Sequence, residues 1–80
     1  SLRHVAVRFA EPVDAGALAG IPGVRVVGAE DSTVRLSAPE TAMDALVKAI
    51  ARHRVVDLVS EPADLEEIFL ELYREAEPAA

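Results

Sequence analysis

The sequence predicts an α+β sandwich of βαββαβ order with one further helix at its C-terminal end. Three observations carry that expectation. Residues 3–9, 24–30 and 33–36 alternate or cluster apolar and β-branched side chains as half-buried strands do, and 54–60 is β-branched again. Apolar residues recur at helical spacing over 42–50 and 65–76. Proline, glycine and acidic turn residues punctuate the stretches between.

In the first strand Val5, Val7 and Phe9 share one face while His4, Ala6 and Arg8 share the other. Glu11-Pro12 breaks it, and Asp14 is placed to cap a short helix carrying Ala15, Ala17 and Leu18. Ile21-Pro22-Gly23 then turns the chain back. Val24–Leu36 reads as a β-hairpin with its turn at Glu30-Asp31-Ser32, so strands two and three are expected to be antiparallel neighbours. Ser37-Ala38-Pro39-Glu40 has the spacing of a capping box and is expected to open a helix running to Arg52 or His53. On that helix Ala42, Met43, Leu46, Ala49 and Ile50 form one stripe, and Asp44 precedes Lys48 by four residues, acid before base. The fourth strand, Arg54 to Ser60, is closed by Glu61-Pro62-Ala63.

The last segment has the clearest pattern. Asp64 and Glu67 have cap spacing, and Leu65, Ile68, Phe69, Leu72, Tyr73 and Ala76 line one face of a helix. Leu70 points roughly 130° from the centre of that stripe at 100° per residue and is expected to be exposed, either as an ordinary surface leucine or as a partner contact. The resulting division is a βαββαβ unit over 1–62, a C-terminal amphipathic helix over 63–77 of the same domain, and a tail at 78–80. That order matches the split-βαβ, ferredoxin-like arrangement of two helices on one face of a four-stranded sheet. Its other face would carry His4, Ala6, Arg8, Arg25, Val27, Ala29 and Arg35, and the last helix or a second copy of the domain is expected to cover it or lie along an edge.

Composition narrows the function. The chain has 80 residues, and a domain this size buries only about 60% of its unfolded surface, which leaves no room for a deep catalytic cleft. The 51% hydrophobic content excludes disorder, and no apolar run reaches the roughly 18 residues of a membrane span, so direct membrane insertion is not expected. Having no cysteine, it has no disulfide, thiolate metal site or Cys nucleophile. Ser1 rather than Met opens the chain, and the expectation is a piece cut from a longer protein.

Charge is uneven. Residues 57–80 hold eight acidic side chains and one basic, Arg74, for −7, whereas 1–56 hold six acidic and seven basic, for +1. An acidic C-terminal third repels phosphate backbones, so nucleic acid is not an expected partner. The same acidity is either a solvated helix face or a docking surface.

The chemistry of familiar sites is missing. The only lysine, Lys48, lies mid-helix without the glycines of a phosphate-binding loop. His4 and His53 lack further metal ligands close by, and no serine has a histidine at a suggestive position. The carboxylates at 66, 67, 71 and 75 lie on a solvated face, where acid or base strength is not tuned. Phe9 is the only aromatic a sheet could offer to RNA bases, and it belongs to the core face. Neither catalysis nor a cofactor is expected in these residues.

Glu61-Pro62-Ala63-Asp64-Leu65-Glu66-Glu67-Ile68-Phe69-Leu70-Glu71-Leu72-Tyr73 resembles the very end of ATP-binding subunits of ABC exporters, especially the daunorubicin-resistance type. Those chains commonly finish in a P-S-L-E-E-I-F-L-like segment. The upstream order, a short helix into Ile21-Pro22-Gly23-Val24, a hairpin, a helix and a β-rich stretch, is similar to the accessory domain that follows their nucleotide-binding domain. Ala63-Asp64 stands where the family often has Pro-Ser, and Asp still caps a helix.

The resemblance implies a parent ATPase whose nucleotide motifs, with ATP and Mg, lie N-terminal to Ser1. Such a subunit works as a dimer beneath a membrane permease and drives export of drugs, lipids or similar amphipathic compounds. This domain would then be regulatory or structural, touching its own nucleotide-binding domain, the second ATPase subunit or the permease. It would be cytoplasmic and peripheral to the membrane, with homodimerisation open. The residues expected at the contact are Leu70, Tyr73, Glu66 and Arg74. The alternative is a ligand sensor of the amino-acid-binding, ACT-like kind, with its effector at the first strand-to-helix loop, Ala10 to Gly16.

Overall fold

In a computed structural model the described residues are 1–63, and the expected helix over 63–77 and the tail at 78–80 fall almost wholly outside them. Residues 1–63 form a small α+β domain built on a four-stranded antiparallel sheet. In chain order the elements are β1 (Leu2–Phe9), α1 (Gly16–Ala19), β2 (Arg25–Glu30), β3 (Thr33–Pro39), α2 (Met43–Ile50) and β4 (Val55–Pro62), with a 3₁₀ turn at Glu40–Ala42 leading into α2. The strands lie in the order β2-β3-β1-β4. The first strand in sequence is therefore central and the last is an edge.

Alternation in β1 decides which face is buried. Val5, Val7 and Phe9 are buried and meet Leu36 and Val34 of β3 in register, Val5 opposite Leu36 and Val7 opposite Val34. Leu18 of α1 and Ala42, Leu46 and Ile50 in and just before α2 join the same cluster, which puts both helices on this face. The stripe read from the sequence is the one that packs: Leu46 and Ile50 are buried, with Met43 and Ala49 partly buried beside them.

Local chemistry accounts for the connections. Asp14 Oδ1 accepts the Gly16 N–H at 3.0 Å, which holds the chain at the start of α1. Ile21-Pro22-Gly23-Val24 closes through the Val24 N–H on the Ile21 carbonyl at 3.0 Å, with Pro22 in the second place and Gly23 at φ 86° in the third. That is the geometry of a type II turn, whose third position favours glycine. The hairpin turns at Asp31-Ser32, between the paired Glu30 and Thr33, with Asp31 in the left-handed region at φ 51°.

Three expectations are corrected. Ser37 does not cap a helix. It is 4% exposed within β3, opposite His4 on one side and Arg25 on the other, so β3 runs to Pro39. A central strand satisfies two ladders at once, and that outweighs a single side-chain cap. The helix also ends earlier than Arg52 or His53. It stops at Ile50, and His53 instead sets its ring edge-on to Phe9, with centroids 5.6 Å apart at 78°. Finally, the β2–β3 register shifts between Val26 and Gly28, so Val27 is an extra residue and Ala29 lies opposite Val34 on the helix-covered face. Ala29 thus leaves the face assigned to it.

The Asp44–Lys48 pair forms as read, at 3.0 Å, with side chains 75% and 80% exposed. Water screens such a pair, so Lys48→Ala is expected to change unfolding free energy by no more than about 0.5 kcal/mol in a urea titration. A loss above ~1 kcal/mol would show that Lys48 does more than balance Asp44.

Candidate interaction surface

The face of the sheet away from α1 and α2 holds the surface of interest. Pairing arranges it in three rows across the strands. Glu61, His4, Ser37 and Arg25 form the first, Val59, Ala6, Arg35 and Gly28 the second, and Asp57, Arg8, Thr33 and Glu30 the third. The first row lies at the end where the chain leaves β4, because the Ala63 N–H donates to the Leu2 carbonyl at 2.9 Å.

The second row is hollow. Ala6, the smallest side chain in mid-sheet, floors a groove of about 180 Å³ with Val27 and Val59 as walls and His4, Arg35 and Glu61 at the rim. The bulge helps to build it, since the extra residue turns Val27 onto this face beside Gly28. Gly28 also makes room for Arg35. A methyl group there would stand 2.6 Å from the Arg35 guanidinium, so that cation lies flat against the Gly28 backbone. Val27 is 51% exposed and Val59 44% exposed, and covering them would stabilise whatever conformation did so by about 1 kcal/mol each.

Of the face expected from the sequence, the structure brings together His4, Ala6, Arg8, Arg25, Val27 and Arg35. Val59 and Glu61 were not foreseen on it. The signal for them was the alternation Asp57, Val59, Glu61, which becomes legible only once β4 is known to pair with β1. The expected contact residues Leu70, Tyr73, Glu66 and Arg74 lie outside the described residues.

In the loop that a ligand sensor would use, Asp14 spends one carboxylate oxygen on the Gly16 backbone, and the groove is not lined by any residue of Ala10 to Gly16. Among the described residues no three His, Asp or Glu side chains gather as a metal site, and no helix is long and apolar enough to cross a membrane. No family model, curated protein or solved structure matches the chain.

Proposed function

We propose that this is a non-catalytic interaction domain, the C-terminal accessory domain of the ATP-binding subunit of an ABC exporter. The observation that carries the interaction reading is the sheet face away from α1 and α2, where the described residues combine apolar walls at Val27 and Val59 with the cations Arg8, Arg25 and Arg35. The exporter reading is supported by the resemblance of Glu61 to Tyr73 to the family's closing segment. The strand order β2-β3-β1-β4, with a helix in each connection β1–β2 and β3–β4, supports the ferredoxin-like form of the fold.

On this reading the engine lies outside these residues, in a nucleotide-binding domain that binds ATP and Mg. The domain adds contact area between the two ATPase subunits, or between subunit and permease, at the cytoplasmic side of the membrane. A coupling of about 1–3 kcal/mol suffices to bias the closed ATPase dimer. Leu70, Tyr73, Glu66 and Arg74 supply the contact.

Two measurements test the proposal. Sequencing the roughly 250 codons upstream of Ser1, about the length of one such domain, should reveal G-x-x-x-x-G-K-S/T and an ABC signature in frame. A start codon immediately before Leu2 would overturn the exporter reading. In the full-length subunit, Leu70→Asp is expected to leave the domain folded while weakening ATP-dependent dimerisation, by fivefold or more for a coupling of at least about 1 kcal/mol. Unchanged dimer affinity would remove Leu70 from the contact.

A further inference from the structure

The composition of β4 makes its edge a hazard. Val55-Val56-Asp57-Leu58-Val59 is rich in β-branched residues, with Val56 53%, Leu58 38% and Val59 44% exposed, and among the described residues no strand pairs with β4 on the side away from β1. An edge of this kind is a template for a further strand. We propose that Arg3 is an autoinhibitory contact that closes the β4 edge to strand addition by a second copy of this chain. The inference is independent of the exporter reading.

The ladder decides which backbone groups face the edge. The Ala63 N–H donates to the Leu2 carbonyl at 2.9 Å, and this pair continues the register Arg3 to Pro62, His4 to Glu61 and Val5 to Ser60. Antiparallel pairs alternate between bonded and non-bonded, so residues 57, 59 and 61 turn their N–H and C=O towards β1 while Leu58, Ser60 and Pro62 turn theirs outward. Pro62 has no N–H to offer. At the other end the register shifts beside Arg8 and Phe9 and leaves Val56 as an extra residue. Between bulge and proline only Leu58 and Ser60 present both a donor and an acceptor. A strand that forms two complete pairs on this stretch therefore has to use Ser60.

Arg3 holds that residue. Its Nε donates to Ser60 Oγ at 2.9 Å and its Nη2 to the Ser60 carbonyl at 3.2 Å. The second bond occupies the outward acceptor itself, and being charge-assisted it is stronger than the neutral backbone bond that would replace it. A second copy is the occupant that fits the two outward residues, because Leu58 of one chain and Ser60 of the other pair twice about a two-fold axis. Such a dimer has to break the Arg3 grip twice. In that register Asp57 also faces Glu61 of the second copy, a weaker brake because both side chains are exposed.

Arg3→Met keeps the aliphatic stem and removes the donors. In the 80-residue chain, in moderate salt that screens Asp57 and Glu61, it is expected to self-associate at least about tenfold more tightly than the unaltered chain by sedimentation velocity. The Leu58 and Ser60 amides should then slow in hydrogen exchange as concentration rises, and adding Leu58→Lys should restore the monomer. Ser60→Ala removes only the Oγ anchor and is expected to move association the same way by a smaller factor, so it decides in place of Arg3→Met if that variant does not fold. A folded Arg3→Met chain that associates no more tightly would overturn the proposal. So would association that survives Leu58→Lys or leaves the Leu58 and Ser60 amides unprotected. Slow exchange of those two amides in the unaltered monomer would equally overturn it, since the edge would then be filled from within the chain. Failure here leaves the exporter reading standing, since that is decided by the upstream sequence and by Leu70→Asp in the parent subunit.

Discussion

Leu46→Ala is expected to lower the unfolding free energy by about 2–5 kcal/mol, the largest loss from any single truncation in α2. Leu46 is 0% exposed and sits in the cluster of Val5, Val7, Val34 and Leu36, where α2 closes over the central strands. Removing three carbons leaves a cavity that two layers of structure can only partly collapse, and a domain of this length has a total stability of about 4–12 kcal/mol. A substantial share of that margin rests on the contact. A urea titration followed by circular dichroism measures it. A loss below ~1 kcal/mol would mean that α2 is not held by this stripe. The neighbouring Val47→Ala, at a side chain 45% exposed, is the control and should change far less.

Gly23→Ala is the second large effect, with an expected cost of about 1–3 kcal/mol from the left-handed backbone alone. Gly23 has φ 86°, and a Cβ there would stand 2.9 Å from Pro39 Cγ and 3.2 Å from its Cδ. Neither the turn nor the proline ring can yield easily, because Pro39 ends a strand paired at Leu2. Gly20→Ala is the informative contrast. Gly20 has helical angles, φ −70° and ψ −10°, with the nearest atom, the Ala17 carbonyl oxygen, at 3.9 Å from a new methyl. Alanine there should be neutral or stabilising by a few tenths of a kcal/mol, through the unfolded chain. Equal losses at the two glycines by thermal melting would refute the conformational account.

The parts of this fold that were legible in the sequence are those that local chemistry decides. Val5, Val7 and Phe9 declared their face by alternation, Pro22-Gly23 declared its turn, and Asp44-Lys48 declared its pair by spacing. Ser37 misled because its capping pattern is local while the competing ladders come from β1 and β2, which no window around Ser37 contains. The bulge at Val27 was hidden for a related reason. Val26-Val27-Gly28-Ala29 alternates no better in one register than in the other, and only the partner strand fixes where the extra residue goes. That one shift moved Ala29 onto the helix-covered face and built one wall of the groove. The candidate surface was accordingly half legible: its cations could be read, its hollow could not.

The place of β1 at the centre of the sheet has a consequence for how the protein is made. Its two ladders join residues far apart in the chain, Arg3 to Ala38 on one side and Arg3 to Pro62 on the other. A ribosome therefore delivers the middle strand first and its second neighbour last. Until Pro62 has emerged, the nascent β1 exposes one unpaired edge. Closure of the sheet is slowed by the long loops it must gather, and all four strands are in place only when almost the whole of 1–62 has left the tunnel.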